Sequence, residues 1–302
     1  MTSVPSFPHP GSPPLRPEVP DGTTVPEEPP KRRLPDLGVP VWAPAVGILF
    51  VVVGYALISA IVGVAIGIAG GNVENLSDNQ PLTIGLTLAL DAVLIAAPII
   101  IVMWLAGRPD PAAFGLRVPE WRSALGNTLV IYIGFWIVTA VVAVILGQAK
   151  DQDIVVDLKS ENSIPILAGF VVMTCLVAPL AEEFFFRGFL FKVLWERSNV
   201  IVATIATGAA FGLVHKPGGD WIGVAVLAFF GCALCLLFWR TASLLPCIML
   251  HSFHNSISFG FTKELPWWGF LLLTTVSVTT TLAIALLATR LGRRVASPPV
   301  PA

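Results

Sequence analysis

Charge is what this chain is short of. Asp, Glu, Lys and Arg make up 12% of its 302 residues, about half the share a soluble globular domain carries. The net charge is −1, and no basic stripe is interleaved with aromatics, which argues against nucleic acid as a partner. Cysteine is scarce too. The four residues Cys175, Cys232, Cys235 and Cys247 all lie in apolar runs, so there is no disulfide framework. Cys232 and Cys235 spell C-x-x-C, but "FFGCALCLLFW" reads as a membrane span and no second pair answers it as a zinc site would. The zincin signature H-E-x-x-H is missing. The first 40 residues hold no apolar stretch flanked by a small-residue cleavage site, so they read as a tail rather than a signal peptide.

Long apolar runs are abundant: 55% of the residues are hydrophobic. Runs recur from Val41 to Leu291, each near the roughly 20 residues that cross a hydrocarbon core. The expectation is an all-α, polytopic transmembrane helix bundle of about eight spans. They fall near 42–68, 83–106, 124–148, 164–196, 200–215, 221–239, 244–262 and 267–290. The fourth is longer than a straight crossing needs and the fifth is short. Glycines recur at helix-packing spacing, as Gly63-x-x-x-Gly67 and Gly208-x-x-x-Gly212. The domain reading is then a Pro-rich tail over 1–40, disordered and cytoplasmic, a transmembrane domain over 41–292 and a flexible tail over 293–302.

Orientation comes from Lys and Arg near the span ends. Lys31, Arg32 and Arg33 precede the first span, Arg108, Arg117 and Arg122 come after the second, and Arg197, Arg240, Arg290, Arg293 and Arg294 flank later ones on the same side. The opposite loops, "GGNVENLSDNQ" and "KDQDIVVDLKSENS", are acidic or neutral. Both termini are expected in the cytoplasm, and the short loops and abundant alanine suit a bacterial cell membrane.

Against this background "APLAEEFFFRGFL", residues 178–190, places three ionisable groups inside an apolar run. Such groups are rare within spans and face a cavity or one another. Glu183 and Arg187 are four apart and share a helical face, so the pair neutralises itself. Glu182 points about 100° away and is left over, available as a base. Three of the four histidines also fall in spans or at their edges: His215 ends "FGLVH", and His251 and His254 lie in "LHSFHNSIS" with Asn255. His251 and Asn255 share a face. His254 is turned off it and reads as a hydrogen bond to a neighbouring helix. Asp91, alone in "LALDAVLIAA", reads as packing or pairing, with a secondary reading as support for the site. At about 1.5 Å per residue, Glu182 lies roughly 22 Å from the cytoplasmic end of its span, and Asn255 about 17 Å into its own.

"EEFFFR", "FGLVH" and "HSFHN" together resemble the three motifs of the CAAX protease and bacteriocin-processing family, also called Abi: Glu-Glu-x-x-x-Arg, Phe-x-x-x-His and His-x-x-x-Asn. They occur in order, on separate spans, over a core of about 160–262. The resemblance implies an intramembrane endopeptidase. Eukaryotic members remove the last three residues of prenylated CAAX proteins, and bacterial relatives are linked to peptide maturation and bacteriocin self-immunity. It further implies that Glu182 activates a water with help from His215, that His251 and Asn255 polarise the scissile carbonyl and hold the oxyanion, and that Glu183 and Arg187 are structural. The partners implied are membrane lipids and a peptide or protein substrate; the sequence carries no signal for an oligomeric state.

The sequence leaves the cofactor open. Glu182, His215 and His251 could ligate zinc with a fourth position for water, while family members are described both as metalloproteases and as metal-independent glutamate proteases. Two other classes also stay open. A proton or solute transporter would use intramembrane Glu and His, though no inverted repeat is visible. A non-catalytic immunity-type scaffold would keep the residues for stability. The depth estimate leaves the opening of the site undecided: the fourth span bends after Arg187, or the site opens outward, or "RGFLFKVLWER" lies as an amphipathic interfacial piece and brings Glu182 nearer the cytoplasm.

Overall fold

A computed structural model describes residues 34–68, 79–108 and 110–296, with side chains described as far as Gly292. Most of the expected N-terminal tail, the centre of the first acidic loop and the last six residues lie outside the described residues. Among those described the chain is wholly helical between its turns, and the helical membrane bundle expected from composition is what forms.

Eight helices match the eight expected spans to within a few residues. They are α1 (Ala43–Ile68), α2 (Gln80–Ala106), α3 (Trp121–Leu146), α5 (Ile164–Arg197), α6 (Val200–Val214), α7 (Trp221–Thr241), α8 (Leu244–Thr262) and α9 (Trp267–Ala296). Six are long and apolar enough to cross a membrane. The exceptions are α6, at 15 residues, and α8, whose apolar run is interrupted by its histidines, serines and asparagine. One element was not expected: α4 (Asp153–Ser160) forms in the loop before α5. A helix of 8 residues, half of them polar, has too few turns for periodicity to register.

The helix starts are set by short polar side chains that take up otherwise unpaired backbone N–H groups. Asn79 accepts from Leu82, Asn199 from Ile201 and Val202, and Ser243 from Leu245. Glu120 accepts from Arg122 and Ser123. Asp220 accepts from the Gly223 and Lys150 backbone N–H groups, which hold its carboxyl below the usual carboxylate range and tie the 147–152 segment to the turn before α7.

The bundle is unevenly buried. α1 and α3 turn rows of large apolar side chains outward, among them Leu49, Leu57, Ile61, Leu129, Val130 and Val144. Such a surface suits lipid, not water. The core lies instead along α5, α7 and α8. Phe185 to Val193 of α5 are buried without interruption, packed with Phe230, Leu234, Leu237 and Phe238 of α7 and Leu244 to Ile248 of α8. Of the open readings of "RGFLFKVLWER", the interfacial one meets a stretch enclosed by protein from Arg187 to Val193 and half-buried or exposed from Leu194 to Arg197. Protein packs against it closely: a Cβ at Gly188 would meet the Phe114 carbonyl at 3.0 Å, and one at Gly47 of α1 would meet the Phe189 ring at 2.7 Å. Residues ahead of α1 close over its end. Leu34, Leu37 and Val39 are buried, the Lys192 ammonium donates to the Pro35 carbonyl at 2.9 Å and pairs with Glu196, and Arg197 donates to the Val39 carbonyl at 3.0 Å.

Of the two glycine spacings, one is a true contact. A Cβ at Gly212 would lie 2.4 Å from the Val224 carbonyl, and one at Gly208 would lie 2.8 Å from the Ala228 carbonyl, so α6 and α7 touch backbone to backbone. Gly67 has nothing within 4 Å. Gly212→Ala is accordingly expected to destabilise the folded protein by about 1–3 kcal/mol through overpacking, whereas Gly67→Ala leaves the thermal midpoint in detergent unchanged or slightly higher. Parallel unfolding scans of the two variants check this contrast.

Candidate functional site

The helix that carries both glutamates is not a uniform α-helix. Within α5 the backbone runs in π geometry over Val172–Val177, returns to α over Ala178–Glu183, and is π again over Phe184–Phe191. π segments are uncommon and concentrate at functional places, and each shifts the register of the residues beyond it. Here they bracket Glu182 and Glu183. Ala178 donates its N–H to the Met173 carbonyl, five residues back, and Pro179 has no N–H to give. The α donor to the Thr174 carbonyl would be Ala178 and its π donor Pro179, so helix α5 supplies neither. α8 fills the gap: Asn255 Nδ2 donates to the Thr174 carbonyl at 2.8 Å, and Ser252 Oγ donates to the Cys175 carbonyl at 2.7 Å.

One turn further along, the charges meet. Glu183 and Arg187 are fully buried and joined at 2.8 Å. The same carboxylate oxygen, Glu183 Oε1, also accepts from His251 Nδ1 at 2.8 Å. Arg187 is held by three further features: its Nη2 donates to the Gly231 carbonyl at 3.1 Å, its guanidinium lies 4.6 Å from the Phe211 ring centre, and Phe186 sits 5.9 Å away. A buried charge is tolerable only when paired and hydrogen-bonded; the cluster meets this at Glu183 Oε1, while Glu183 Oε2 and Arg187 Nε have no hydrogen-bond partner.

With Nδ1 committed to Glu183, the other ring nitrogen of His251 is the one left for chemistry. It faces Glu182: Nε2 to Oε2 is 3.9 Å. Glu182 is the less buried of the two glutamates, with 16% of its side chain exposed, and its Oε2 has no hydrogen-bond partner. The division anticipated from helical spacing, one glutamate paired with Arg187 and one left over, is the observed one. Asp91 of α2 is buried close enough to couple electrostatically with Glu182, and its Oδ2 is likewise without a hydrogen-bond partner.

His215 stands at the end of α6 with φ −90° and ψ 0°. Its Nδ1 lies 2.7 Å from the Phe211 carbonyl. A carbonyl only accepts, so Nδ1 carries the hydrogen and Nε2 is the free lone pair. Phe211 stands between the two imidazoles, 5.0 Å from the His215 ring and 5.9 Å from the His251 ring. Among the described residues no hydrogen bond or ion pair joins His215 directly to Glu182 or His251. His254 makes the helix-to-helix bond expected of it: Nδ1 lies 3.2 Å from the Tyr132 hydroxyl of α3, and its ring stacks on Phe230 at 4.4 Å. The four cysteines are all free.

Among the described residues no three His, Cys, Asp or Glu side chains are gathered as a metal ion requires. His251 commits one nitrogen to Glu183, which leaves its Nε2 and Glu182 as two donors without a third. The donor set as arranged does not fit a zinc site.

The packing of α5 against its neighbours gives a reference level for the site. Gly188 packs against Leu244 and Phe114, and the Leu244 N–H donates to the Gly115 carbonyl at 2.9 Å, so these residues share one level at the start of α8. Glu182 is six residues from that level and His251 seven, roughly 10 Å on either count. The remainder of α5 continues past it into the segments over 34–39 and 110–116, so a count from the helix end and a count from this level give different distances.

Sequence comparison bears on the same residues. Residues 164–257 match the family model described as "Type II CAAX prenyl endopeptidase Rce1-like", and all six motif residues that carry charge or polarity fall within that stretch. A Mycoplasma capricolum protein of uncharacterized function is 28% identical over 138 residues, 44% of this chain and 39% of its own. A Bacillus subtilis protein named "Putative membrane peptidase YdiL" is 25% identical over 95 residues, 32% of this chain and 36% of its own. The chain thus aligns with well under half the length of each of these relatives. No solved structure matches it significantly.

The cluster separates two kinds of glutamate by their response to mutation. Arg187→Leu strands a buried carboxylate and is expected to cost about 3–5 kcal/mol, seen as loss of the monodisperse detergent-solubilised protein. Glu182→Gln breaks no hydrogen bond at Oε2 and is expected to keep the wild-type unfolding midpoint and elution profile.

Proposed function

We propose that this protein is an intramembrane endopeptidase that hydrolyses a peptide bond with a water activated by Glu182. The observation that carries the reading is the approach of Glu182 Oε2 to His251 Nε2, 3.9 Å apart, with His251 oriented from behind by Glu183. A single water can reach both atoms with hydrogen bonds of ordinary length. Glu182 takes one proton from that water as its oxygen attacks the carbonyl carbon, and returns the proton to the amine nitrogen as the C–N bond breaks. His251 through Nε2 and the second N–H of Asn255 Nδ2 are the groups placed to donate to the oxyanion, with Glu183 holding the imidazole from the far side. His215, its Nε2 lone pair set by the bond to Phe211, assists the water. Glu183 and Arg187 act by holding His251 in place.

The endopeptidase class named by the family model supports this reading, as does a site on three helices inside an apolar bundle. The substrate is then a peptide or protein segment that reaches the site within the membrane. The protein would lie in a bacterial cell membrane with its N-terminus in the cytoplasm, the outward faces of α1 and α3 against lipid.

Purified protein and a quenched peptide library give the test. Glu182→Gln is expected to lower kcat by about a thousandfold or more with the fold retained, and Asn255→Ala by about a hundredfold with some loss of stability, since it also frees the Thr174 carbonyl. Cleavage that survives Glu182→Gln overturns the assignment of the base. Cleavage abolished by chelator and restored by Zn²⁺ replaces the metal-free mechanism with a metal one. Failure of the wild type to cleave any peptide, with proton or solute flux in vesicles instead, establishes the transporter reading.

A further inference from the structure

We infer that Pro179 and Ser252 are positioning residues of this site: the missing N–H of Pro179 reserves two carbonyls of α5 for side chains of α8, and that exchange sets the register at which Glu182 meets His251. The inference rests on the proposed role of Glu182.

An α-helix normally consumes its own carbonyls. The helix that carries Glu182 does not do so at Thr174, and at Cys175 the α-register donor is the missing N–H of Pro179. Its preceding turn is wound in π geometry with Ala178 bonded to Met173, and Pro179 cannot donate to Thr174 in the π register or to Cys175 in the α register. A carbonyl left bare in an apolar interior is costly. Both carbonyls are taken by one neighbouring helix, through Asn255 at 2.8 Å and Ser252 at 2.7 Å. Ser252 is fully buried and adjacent in sequence to His251. The donors and the imidazole therefore move as one body, and the acceptors lie about two turns before Glu182 on the opposing helix. The result is a two-point clamp that fixes both the translation and the rotation of α5 against α8, next to the 3.9 Å approach. A one-residue change of register would turn Glu182 by about 100° about its helix axis, away from His251.

Pro179 is thus unfavourable locally, as proline inside a helix is, and useful at the site. That combination makes an outcome that a purely structural proline does not produce. In Pro179→Ala the restored N–H competes for Thr174 or Cys175, so α5 relaxes toward an unbroken helix. The thermal midpoint is expected not to fall, while kcat falls at least about tenfold with KM changed by less than about twofold. Ser252→Ala is expected to lower kcat in the wild-type background and to have no further effect in the Pro179→Ala background, because the carbonyl it served then has a backbone donor.

Three readouts decide the matter: unfolding midpoints, kcat and KM for the four chains of this double-mutant cycle, and a structure of the Pro179→Ala chain. A structure with the Ser252 and Asn255 bonds intact, additive kcat effects, or an unaltered kcat in Pro179→Ala overturns the inference. Should the wild type cleave nothing, the proposed function fails instead. The clamp is then judged on the unfolding midpoint and the structure, where release of both α8 donors supports it and their retention overturns it.

Discussion

One oxygen atom organises this site. Glu183 Oε1 accepts from Arg187 and from His251 at the same distance, 2.8 Å, and each bond depends on the other. Without Arg187 the carboxylate would be a lone charge in an apolar core, and without Glu183 the imidazole would be free to rotate. The pair therefore does more than neutralise itself. It turns a helix–helix crossing into a defined ring orientation, and that orientation is what leaves Nε2 directed at Glu182. The asymmetry between two adjacent glutamates of identical chemistry has the same origin: each has one oxygen without a hydrogen-bond partner, but Glu183 is tied down through its other oxygen by Arg187 and His251, while Glu182 directs its unmatched oxygen at the imidazole.

The arrangement also shows how rigid placement is obtained where burial alone is weak. In hydrocarbon, apolar side chains gain little from one another that lipid does not supply, so fit and polar bonds between helices carry the specificity. The bundle uses both. Glycines bring α6 and α7 into backbone contact. Polar ties join α5 and α8: Ser252 and Asn255 to carbonyls and His251 to Glu183 by hydrogen bond, with His251 to Glu182 at longer range. Helices α1 and α3 instead present mostly apolar side chains outward.

Much of this is readable in the sequence, because a span announces itself by length and apolarity. The eight segments fall within a few residues of where apolarity puts them, and the Glu183–Arg187 pair comes from a spacing of four. Three things are not readable. The register of α5 depends on two π segments, and periodicity cannot separate 3.6 from a locally wider turn over six residues; Pro179, inside an otherwise helical pattern, is the one available signal. The link from Glu183 to His251 joins positions 68 apart, and nothing local encodes it. The distance from the site to the packed level at Gly188 is not given by a count along a helix that continues beyond its neighbours, and an apolar run reads alike whether lipid or protein encloses it. The same ambiguity leaves an interfacial reading of residues 187–197 open from sequence alone, while 187–193 pack as core.

The level shared by Gly188, Phe114 and Leu244 carries a consequence for how a chain would be fed to this protein. An extended polypeptide advances about 3.3–3.6 Å per residue, so the roughly 10 Å between that level and the acidic and imidazole groups is spanned by about three residues. That level is packed shut, with Phe114, Phe189 and Leu244 buried, so a peptide of the proposed kind could enter from that end only by displacing them, and an entry between helices elsewhere in the bundle avoids that cost.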